Sequence, residues 1–137
     1  MDEATARSKF LAARSATLAT VDGQGVPHLV PIVFAVEDDV IVFAVDHKPK
    51  RATDLRRLRN IAANDHVCVL ADHYSDDWRH LWWARADGTA AIAEDDTTRR
   101  HWLDRLAERY EQYAERRPEG PVVVITVERW SGWAHNE

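Results

Sequence analysis

The sequence predicts a mainly β protein, in which about six antiparallel strands close into a small barrel with short helices around it. Short apolar or alternating segments are separated by turn residues, and only three segments show helical spacing. Barrel closure is favoured over a sandwich because it removes the exposed edges of a small sheet. At 137 residues, the chain is long enough for one core, so a single domain is expected over residues 1–137.

The first half of the chain is predicted to contain a helix, a hairpin and a buried strand. The turn residues Asp22–Gly25 indicate the hairpin, since glycine can adopt a positive φ. The next strand carries Pro27 and Pro31, which cannot donate to a ladder, so we expect an edge strand, a bulge, or a side open to a ligand. The predicted helix covers residues 2–13, and the strands cover residues 16–21, 26–36 and 40–45, the last of them apolar on both faces.

The second half is predicted to contain two helices and three further strands. Leu55, Leu58 and Ile61 recur at helical spacing, and Asp95-Asp96 suits the start of a helix because acidic residues favour its first turn. Asp87-Gly88 marks a bulge or turn. The helices are predicted at residues 50–63 and 95–115. The strands are predicted at residues 67–72, 81–93 (one long strand or a bent hairpin) and 122–127, followed by a tail at residues 130–133. The inner face of the later helix is predicted to be Trp102, Leu103, Leu106, Tyr110 and Tyr113.

Positive charge is concentrated in one segment. Residues 47–59 hold six of the 18 Lys and Arg residues and one of the 23 acidic residues, a local charge of +5 in a chain of net charge −5. Pro49 suits a first helical position, which would place Lys48, Lys50 and Arg51 at the positive end of the helix dipole, where cations are disfavoured. A bound phosphate or carboxylate would remove this conflict, so the pattern predicts an anion site. The alternative is a solvated basic helix face.

Composition disfavours several classes of protein. A net charge of −5 argues against nucleic acid as the main partner, because backbone binding needs a wide basic face. No apolar signal region or membrane-spanning segment is recognisable, so we expect neither export nor a membrane partner. The lone Cys68 excludes a disulfide framework, is predicted to be a small core residue, and fits a reducing cytoplasm.

The usual catalytic and metal-binding patterns are absent from the sequence. It contains no GxGxxG, P-loop or GxSxG motif. Asp-His pairs recur at Asp46-His47, Asp65-His66 and Asp72-His73, but without the spacing of metal ligands, so no metal site is predicted. If the protein is an enzyme, its chemistry is therefore expected to come from a bound cofactor.

Tryptophan is frequent, with six in the chain. Trp82 and Trp83 are adjacent on a predicted strand and must point to opposite faces. One can fill the barrel, whereas the other needs cover from a partner subunit or a flat ligand, and an indole beside a cleft suits a planar ring. The alternative is that all six pack in the core or a dimer interface.

Six segments, taken in order, carry a family resemblance. They are Ala16–Val21, Asp22–His28, Val30–Phe34, Val42–Arg51, Leu58–Asn60 and Trp82–Gly88. As a set they resemble the pyridoxamine-phosphate-oxidase-like split-barrel flavoproteins, and the chain looks most similar to the actinobacterial branch of deazaflavin (coenzyme F420)-dependent oxidoreductases. The resemblance covers residues 7–133 and implies a six-stranded antiparallel split β-barrel with Greek-key connections, a homodimer, and two cofactor sites between the subunits.

The resemblance also implies which residues bind the cofactor. One strand would run beside its tricyclic ring, a second strand end and the basic segment would hold its phosphate, and a partner subunit would add tryptophan contacts. The implied residues are Pro31, Ile32, Val33, Ala44, Val45, Lys48, Lys50, Arg51, Trp82, Trp83 and Trp130. No proton donor is identified, since solvent or a backbone-held water is as plausible as Tyr74.

One departure from the family pattern bears on the cofactor. The flavin-using oxidases place an Arg before an apolar strand and a Lys at its end, where this chain has His28-Leu29 and Phe34. The missing cations disfavour a tightly held FMN and vitamin B6 oxidation. The cations near residue 50 instead suit a longer anionic tail, such as the phospholactyl-glutamate chain of F420.

The sequence therefore predicts a cytoplasmic F420-dependent oxidoreductase, in which reduced deazaflavin passes hydride from C5 to a small conjugated organic acceptor. The basic segment would hold the phosphate and carboxylates, and Arg56 or Arg57 would steer the tail. The alternatives are an FMN-dependent reductase or oxidase on the same barrel, a non-catalytic flavin- or tetrapyrrole-binding protein, and a basic-patch interaction module.

Overall fold

The computed structural model describes residues 1–45 and 55–136. Within these ranges the protein has seven β-strands, four α-helices and a 3-10 turn at Trp78–His80. The helices are α1 (Glu3–Ala12), α2 (Arg56–Ala63), α3 (Asp96–Arg109) and α4 (Glu111–Glu115), and the strands are β1 (Ala16–Val21), β2 (Pro27–Ile32), β3 (Ala35–Glu37), β4 (Val40–Ala44), β5 (His66–His73), β6 (Trp82–Ile92) and β7 (Val122–Ala134). The prediction of a mainly β fold with short helices is confirmed. Every helix in the described ranges is too short or too polar to cross a bilayer.

The strands form one curled antiparallel sheet in the order β2-β1-β5-β6-β7-β4-β3. Strands β2 and β3 are consecutive in the chain, yet they form the two opposite edges of the sheet. The architecture is therefore a half-barrel of seven strands in the described ranges, and it is consistent with a split barrel. The predicted six strands and Greek-key order do not describe it correctly.

The additional strand arises because the segment predicted as one strand over residues 26–36 is divided in two. Strand β2 ends at Ile32 and β3 begins at Ala35, and Val33-Phe34 connects them from one edge of the sheet to the other. Both prolines of the segment lie in β2, which is an edge strand, as expected for residues that cannot donate to a ladder.

The side chain of Tyr110 anchors this connection. Its hydroxyl accepts the backbone N–H of Phe34 at 3.1 Å and lies 2.9 Å from the carbonyl oxygen of Phe34 and 3.1 Å from that of Arg14. A hydroxyl has one proton and two lone pairs, so it can accept from the N–H and donate to the two carbonyls in turn. It thereby satisfies buried backbone groups that lie outside the strands.

The interior of the half-barrel is filled by apolar side chains from the sheet and from α1. Phe10 of α1 packs between Phe34 and Trp130, with ring centroids 4.8 and 5.3 Å away. Alternate residues of β4 face two different clusters, so this strand is buried on both sides as predicted. The side chains of Ile41 and Phe43 belong to the first cluster, and those of Val42 and Ala44 belong to the second.

The second cluster lies between β4 and the helices α3 and α4. It contains all five residues predicted for the inner face of the later helix: Trp102, Leu103, Leu106, Tyr110 and Tyr113. Asp95 caps α3 by accepting the N–H of Thr98 at 2.9 Å, as expected for an acid at a helix start. The helix predicted over residues 95–115 is nevertheless interrupted, because Tyr110 is extended with φ −122° and ψ 119°.

Two turn predictions are confirmed, and one strand is longer than predicted. Gly25 in the first hairpin has φ +83°. The ladder between β6 and β7 shifts register at Asp87/Gly88, where a β-carbon on Gly88 would overlap the carbonyl oxygen of Thr126. Strand β7 continues to Ala134 rather than ending at Val127, because the predicted tail pairs with the start of β6.

Cys68 is half-buried rather than a full core residue. It lies opposite Asp87 in the β5–β6 ladder, and its thiol donates to the Asp87 carboxylate at 3.1 Å. Burial, this hydrogen bond and the charge of Asp87 together raise the pKa of Cys68 to about 11. The thiol is therefore held protonated at neutral pH.

Tyr110→Phe should lower the free energy of unfolding by about 1–3 kcal/mol, because it leaves the buried N–H of Phe34 without an acceptor. Urea denaturation measures the change. Tyr74→Phe is the matched control, since Tyr74 is 61% exposed. Equal stability of Tyr110→Phe and the native protein would show that the hydroxyl does not hold the β2–β3 connection.

Alkylation of Cys68 by iodoacetamide should be slow at about pH 8.5, because the thiolate is the reacting species and the thiol has a pKa near 11. Asp87→Asn removes a charge that disfavours the thiolate, so the reaction should become faster. Mass spectrometry of alkylation time courses measures both rates. Asp76→Asn, on the exposed loop, should leave the rate unchanged. A slower reaction in Asp87→Asn would contradict this account of the thiol.

Candidate functional site

An open groove of about 350 Å³ lies where the end of β2 and the end of β4 approach each other. It is lined by Ser15, Pro31, Ile32, Val33, Phe43, Ala44, Val45, Arg57 and Tyr113. We term it the β2–β4 groove. Its walls are mainly apolar, and its volume falls in the range typical of small-molecule sites.

The β2–β4 groove brings together five of the residues implied to bind a cofactor. These are Pro31, Ile32, Val33, Ala44 and Val45. Strands β2 and β4 are not neighbours in the sheet, so the two groups of residues meet only because the sheet curls. Lys48, Lys50 and Arg51 lie outside the described residues, in the segment that directly follows Val45 in the sequence.

The β2 side of the groove combines apolar surface with an edge of the sheet. Val33 is 37% exposed, whereas the neighbouring Ile32 is buried. Strand β2 pairs with β1 along one edge only. Backbone groups on its other edge are therefore not used by the sheet, and an edge of this kind can hydrogen-bond a ligand.

Arg57 contributes the one charged side chain among the groove-lining residues that the structure describes. It is half-buried, and among residues 1–45 and 55–136 no carboxylate or carbonyl pairs with its guanidinium. Burial lowers the pKa of Arg57, which reflects the cost of removing a charge from water. A bound anion would offset that cost, since a buried charge is stabilised by a partner.

The start of α2 differs from the sequence prediction, which placed the helix over residues 50–63. The helix begins at Arg56, because Leu55 is extended with φ −75° and ψ 145° and makes no side-chain cap. Pro49, which the sequence analysis placed at a first helical position, lies outside the described residues. The first turn instead carries Arg56 and Arg57 and no acidic residue, so cations still face the positive end of the dipole.

The two arginines at this helix start have different surroundings. The Arg56 guanidinium lies 3.7 Å from the carboxylate of Asp22, and Arg56 does not line the groove. Arg57 lines the groove and has no such partner among the described residues. Of the two residues predicted to steer an anionic tail, the geometry therefore favours Arg57.

The three tryptophans implied as cofactor contacts lie outside the β2–β4 groove. Trp130 is a core residue, 6% exposed, and its indole N–H donates to Asp39 at 3.0 Å. Trp82 and Trp83 are half-buried and point to opposite faces of β6, as expected. Their contribution from a partner subunit stays a prediction.

The described residues offer no metal centre. Within residues 1–45 and 55–136, no group of three or more His, Cys, Asp or Glu side chains is arranged to hold a metal ion. The chemistry that this part of the chain supports is thus the binding of a planar or apolar group against the groove walls, with a negative charge at Arg57.

Comparisons with known proteins agree with this architecture. The family model described as pyridoxamine 5'-phosphate oxidase matches residues 3–134. No protein of curated function matches the chain significantly.

Solved structures from three bacteria share the fold. A conserved hypothetical protein from Mycobacterium tuberculosis is 24% identical, with coverage of 98% of this chain and 86% of that one and a TM-score of 0.75. The heme storage protein HutZ from Vibrio cholerae is 18% identical, with coverage of 98% and 95% and a TM-score of 0.73. An FAD-binding protein from Mesorhizobium loti is 20% identical, with coverage of 96% and 94% and a TM-score of 0.71.

Proposed function

The chain belongs to the pyridoxamine 5'-phosphate oxidase family, and we propose that it is an oxidoreductase that binds a flavin-type cofactor in the β2–β4 groove. The observation that carries this proposal is the half-buried Arg57, which faces an apolar groove and lacks a partner among the described residues. A neutral apolar ligand would leave that charge uncompensated, whereas a planar group with an anionic tail would match both the walls and the cation.

Each part of the groove has a role in this proposal. Pro31, Ile32 and Val33 would bound one face of the ring, and Ala44 and Val45 would exclude water from the opposite wall. Arg57 would bind a phosphate or carboxylate, with Lys48, Lys50 and Arg51 as the further cations that the sequence supplies. When bound, a flavin or deazaflavin supplies hydride transfer.

We further propose that the cofactor is F420 rather than FMN. Phe34 stands where the flavin-using oxidases resembled by this sequence carry a lysine, and it is fully buried with its backbone bonded to Tyr110. The Phe34 side chain therefore supplies none of the charge that a lysine would offer to a short phosphate tail at this position. A basic segment of charge +5 at residues 47–59 suits the longer polyanionic tail of F420.

A homodimer is proposed from the outer face of the sheet. Leu29 is 65% exposed and Leu70 is 37% exposed. Thr17 of β1 pairs with Pro31 on one side and with Leu70 on the other, so these apolar side chains share one face of the sheet. Trp83 of β6 points to the same face. A second copy of the chain would cover this surface, as apolar patches of this kind favour.

Titration of the purified apo-protein should show saturable binding of F420 and much weaker binding of FMN. Trp fluorescence and the absorption band of the cofactor measure both affinities. Binding of FMN but not F420 would overturn the choice of cofactor. Binding of neither, with tight binding of heme instead, would favour a non-catalytic tetrapyrrole-binding protein.

Arg57→Gln should weaken F420 binding by about 1.5–3 kcal/mol, the scale of a charge-assisted hydrogen bond, as should Lys50→Ala and Arg51→Ala. Isothermal titration calorimetry measures the dissociation constants. Arg56→Gln is the matched control, because Arg56 is adjacent in sequence but pairs with Asp22 outside the groove. Equal losses in Arg56→Gln and Arg57→Gln would indicate a diffuse basic face rather than a site.

A further inference from the structure

A second cavity, of about 510 Å³, lies where the end of β5 and the start of β6 meet α1 and the C-terminal residues. It is lined by Lys9, His73, Arg79, His80, Leu81, Trp82, Ala134 and Asn136. We term it the Lys9–Trp82 cavity. None of these residues lines the β2–β4 groove, so the two sites are formed independently.

The walls of the Lys9–Trp82 cavity are fixed by hydrogen bonds between distant parts of the chain. The side-chain amide of Asn136 donates to the carbonyl oxygen of Arg79 at 2.8 Å. The backbone N–H of His135 donates to the carbonyl oxygen of Leu81 at 3.0 Å. These bonds hold the C-terminal residues against the 3-10 turn, so the cavity does not depend on one loop alone.

The lining of the cavity is basic. Its ionisable side chains are one lysine, one arginine and two histidines, and no carboxylate of the described residues lines it. The Arg79 guanidinium is already matched, because it donates to both oxygens of Asp77 at 2.9 and 2.8 Å. That pairing raises the pKa of Arg79 and lowers the pKa of Asp77.

Lys9 is the cation whose charge is not matched by an acid. Its ammonium lies 5.5 Å from the ring centroid of Trp82, and no carboxylate in the described part of the chain forms an ion pair with it. The indole of Trp82 is half-buried against the core, and Leu81 beside it is buried. A positive charge therefore sits at the edge of an aromatic and aliphatic wall.

We propose that the Lys9–Trp82 cavity binds a small planar organic acid. Its carboxylate would meet the Lys9 ammonium in a charge-assisted hydrogen bond, and its ring would lie against Trp82 and Leu81. Lys9 is exposed, so its ammonium can reach a carboxylate in the cavity, while the half-buried indole of Trp82 offers a surface on which a ring can pack. This site is a second ligand site, additional to the cofactor groove.

Benzoate, benzamide and acetate are probes that separate these two features. In ¹H–¹⁵N spectra of the full-length apo-protein at constant ionic strength, benzoate should shift the indole N–H signal of Trp82, identified by its loss in Trp82→Phe. Benzamide, which lacks the charge, and acetate, which lacks the ring, should each bind about tenfold more weakly or not at all. Equal binding of benzoate and benzamide, or shifts confined to other tryptophans, would overturn the proposal.

Variants test the role of Lys9 directly. Lys9→Gln should weaken benzoate binding about tenfold, whereas Lys9→Arg should retain most of it. Arg100→Gln is the control, because Arg100 is an exposed cation of α3 outside the cavity lining. Arg57→Gln should also leave benzoate binding unchanged, because Arg57 lines only the β2–β4 groove. The benzoate measurement therefore tests the Lys9–Trp82 cavity independently of the proposed cofactor site. Unchanged affinity in Lys9→Gln would overturn the proposal.

Discussion

The hydrogen bonds between the Tyr110 hydroxyl and the backbone of Phe34 hold the connection between β2 and β3. This connection needs such support because it runs between two edge strands that do not pair with each other. Its backbone groups at Phe34 are buried, and buried polar groups are costly when unpaired. The Tyr110 hydroxyl supplies both a donor and an acceptor to them. Val33, the adjacent residue, lines the β2–β4 groove, so the same hydroxyl that closes the fold also positions one wall of the site.

Charge pairing distinguishes the residues that stabilise the surface from those available to ligands. Arg56 and Arg79 each lie beside a carboxylate, from Asp22 and Asp77 respectively. Arg57 and Lys9 do not have such a partner in the described part of the chain, although each lies in the wall of a cavity. Exposed ion pairs add little to stability, so matched arginines need no ligand to explain them. The half-buried guanidinium of Arg57 is different, because it lies in an apolar wall without an acidic partner among the described residues, and a bound anion would offset its desolvation cost.

Local patterns in the sequence predicted most of the described elements correctly. Five of the groove residues were named from the family resemblance, and cofactor binding by them stays a prediction. The hairpin at Asp22–Gly25, the bulge at Asp87-Gly88 and the inner face of α3 depend on residues close together in sequence, where turn chemistry and periodicity are informative. The division of residues 26–36 depends on Tyr110, which lies 76 positions from Phe34, so no local pattern could reveal it.

Other features of the structure also depend on contacts or boundaries that local patterns do not determine. Trp130 packs with Phe10 of α1, a contact that links opposite ends of the chain, and the cofactor contact implied for it stays a prediction. The helix predicted over residues 50–63 is not continuous, because Leu55 is extended, and helical spacing alone does not fix where a helix begins. The lining of the Lys9–Trp82 cavity comes from four separate segments and carries no sequence signature at all.

The outer face of the sheet and the β2–β4 groove meet at Pro31, and this connects the proposed dimer with the proposed cofactor site. Pro31 lines the groove and is also exposed on the face that carries Leu29 and Leu70. A second copy bound to that face would extend the apolar wall beyond Pro31 and shield a bound ring from water. Trp83 points to the same face, so an interface there would bring aromatic surface from one copy towards the groove of the other. On this argument the groove within one chain is half of a site, and dimerisation and cofactor binding should reinforce each other.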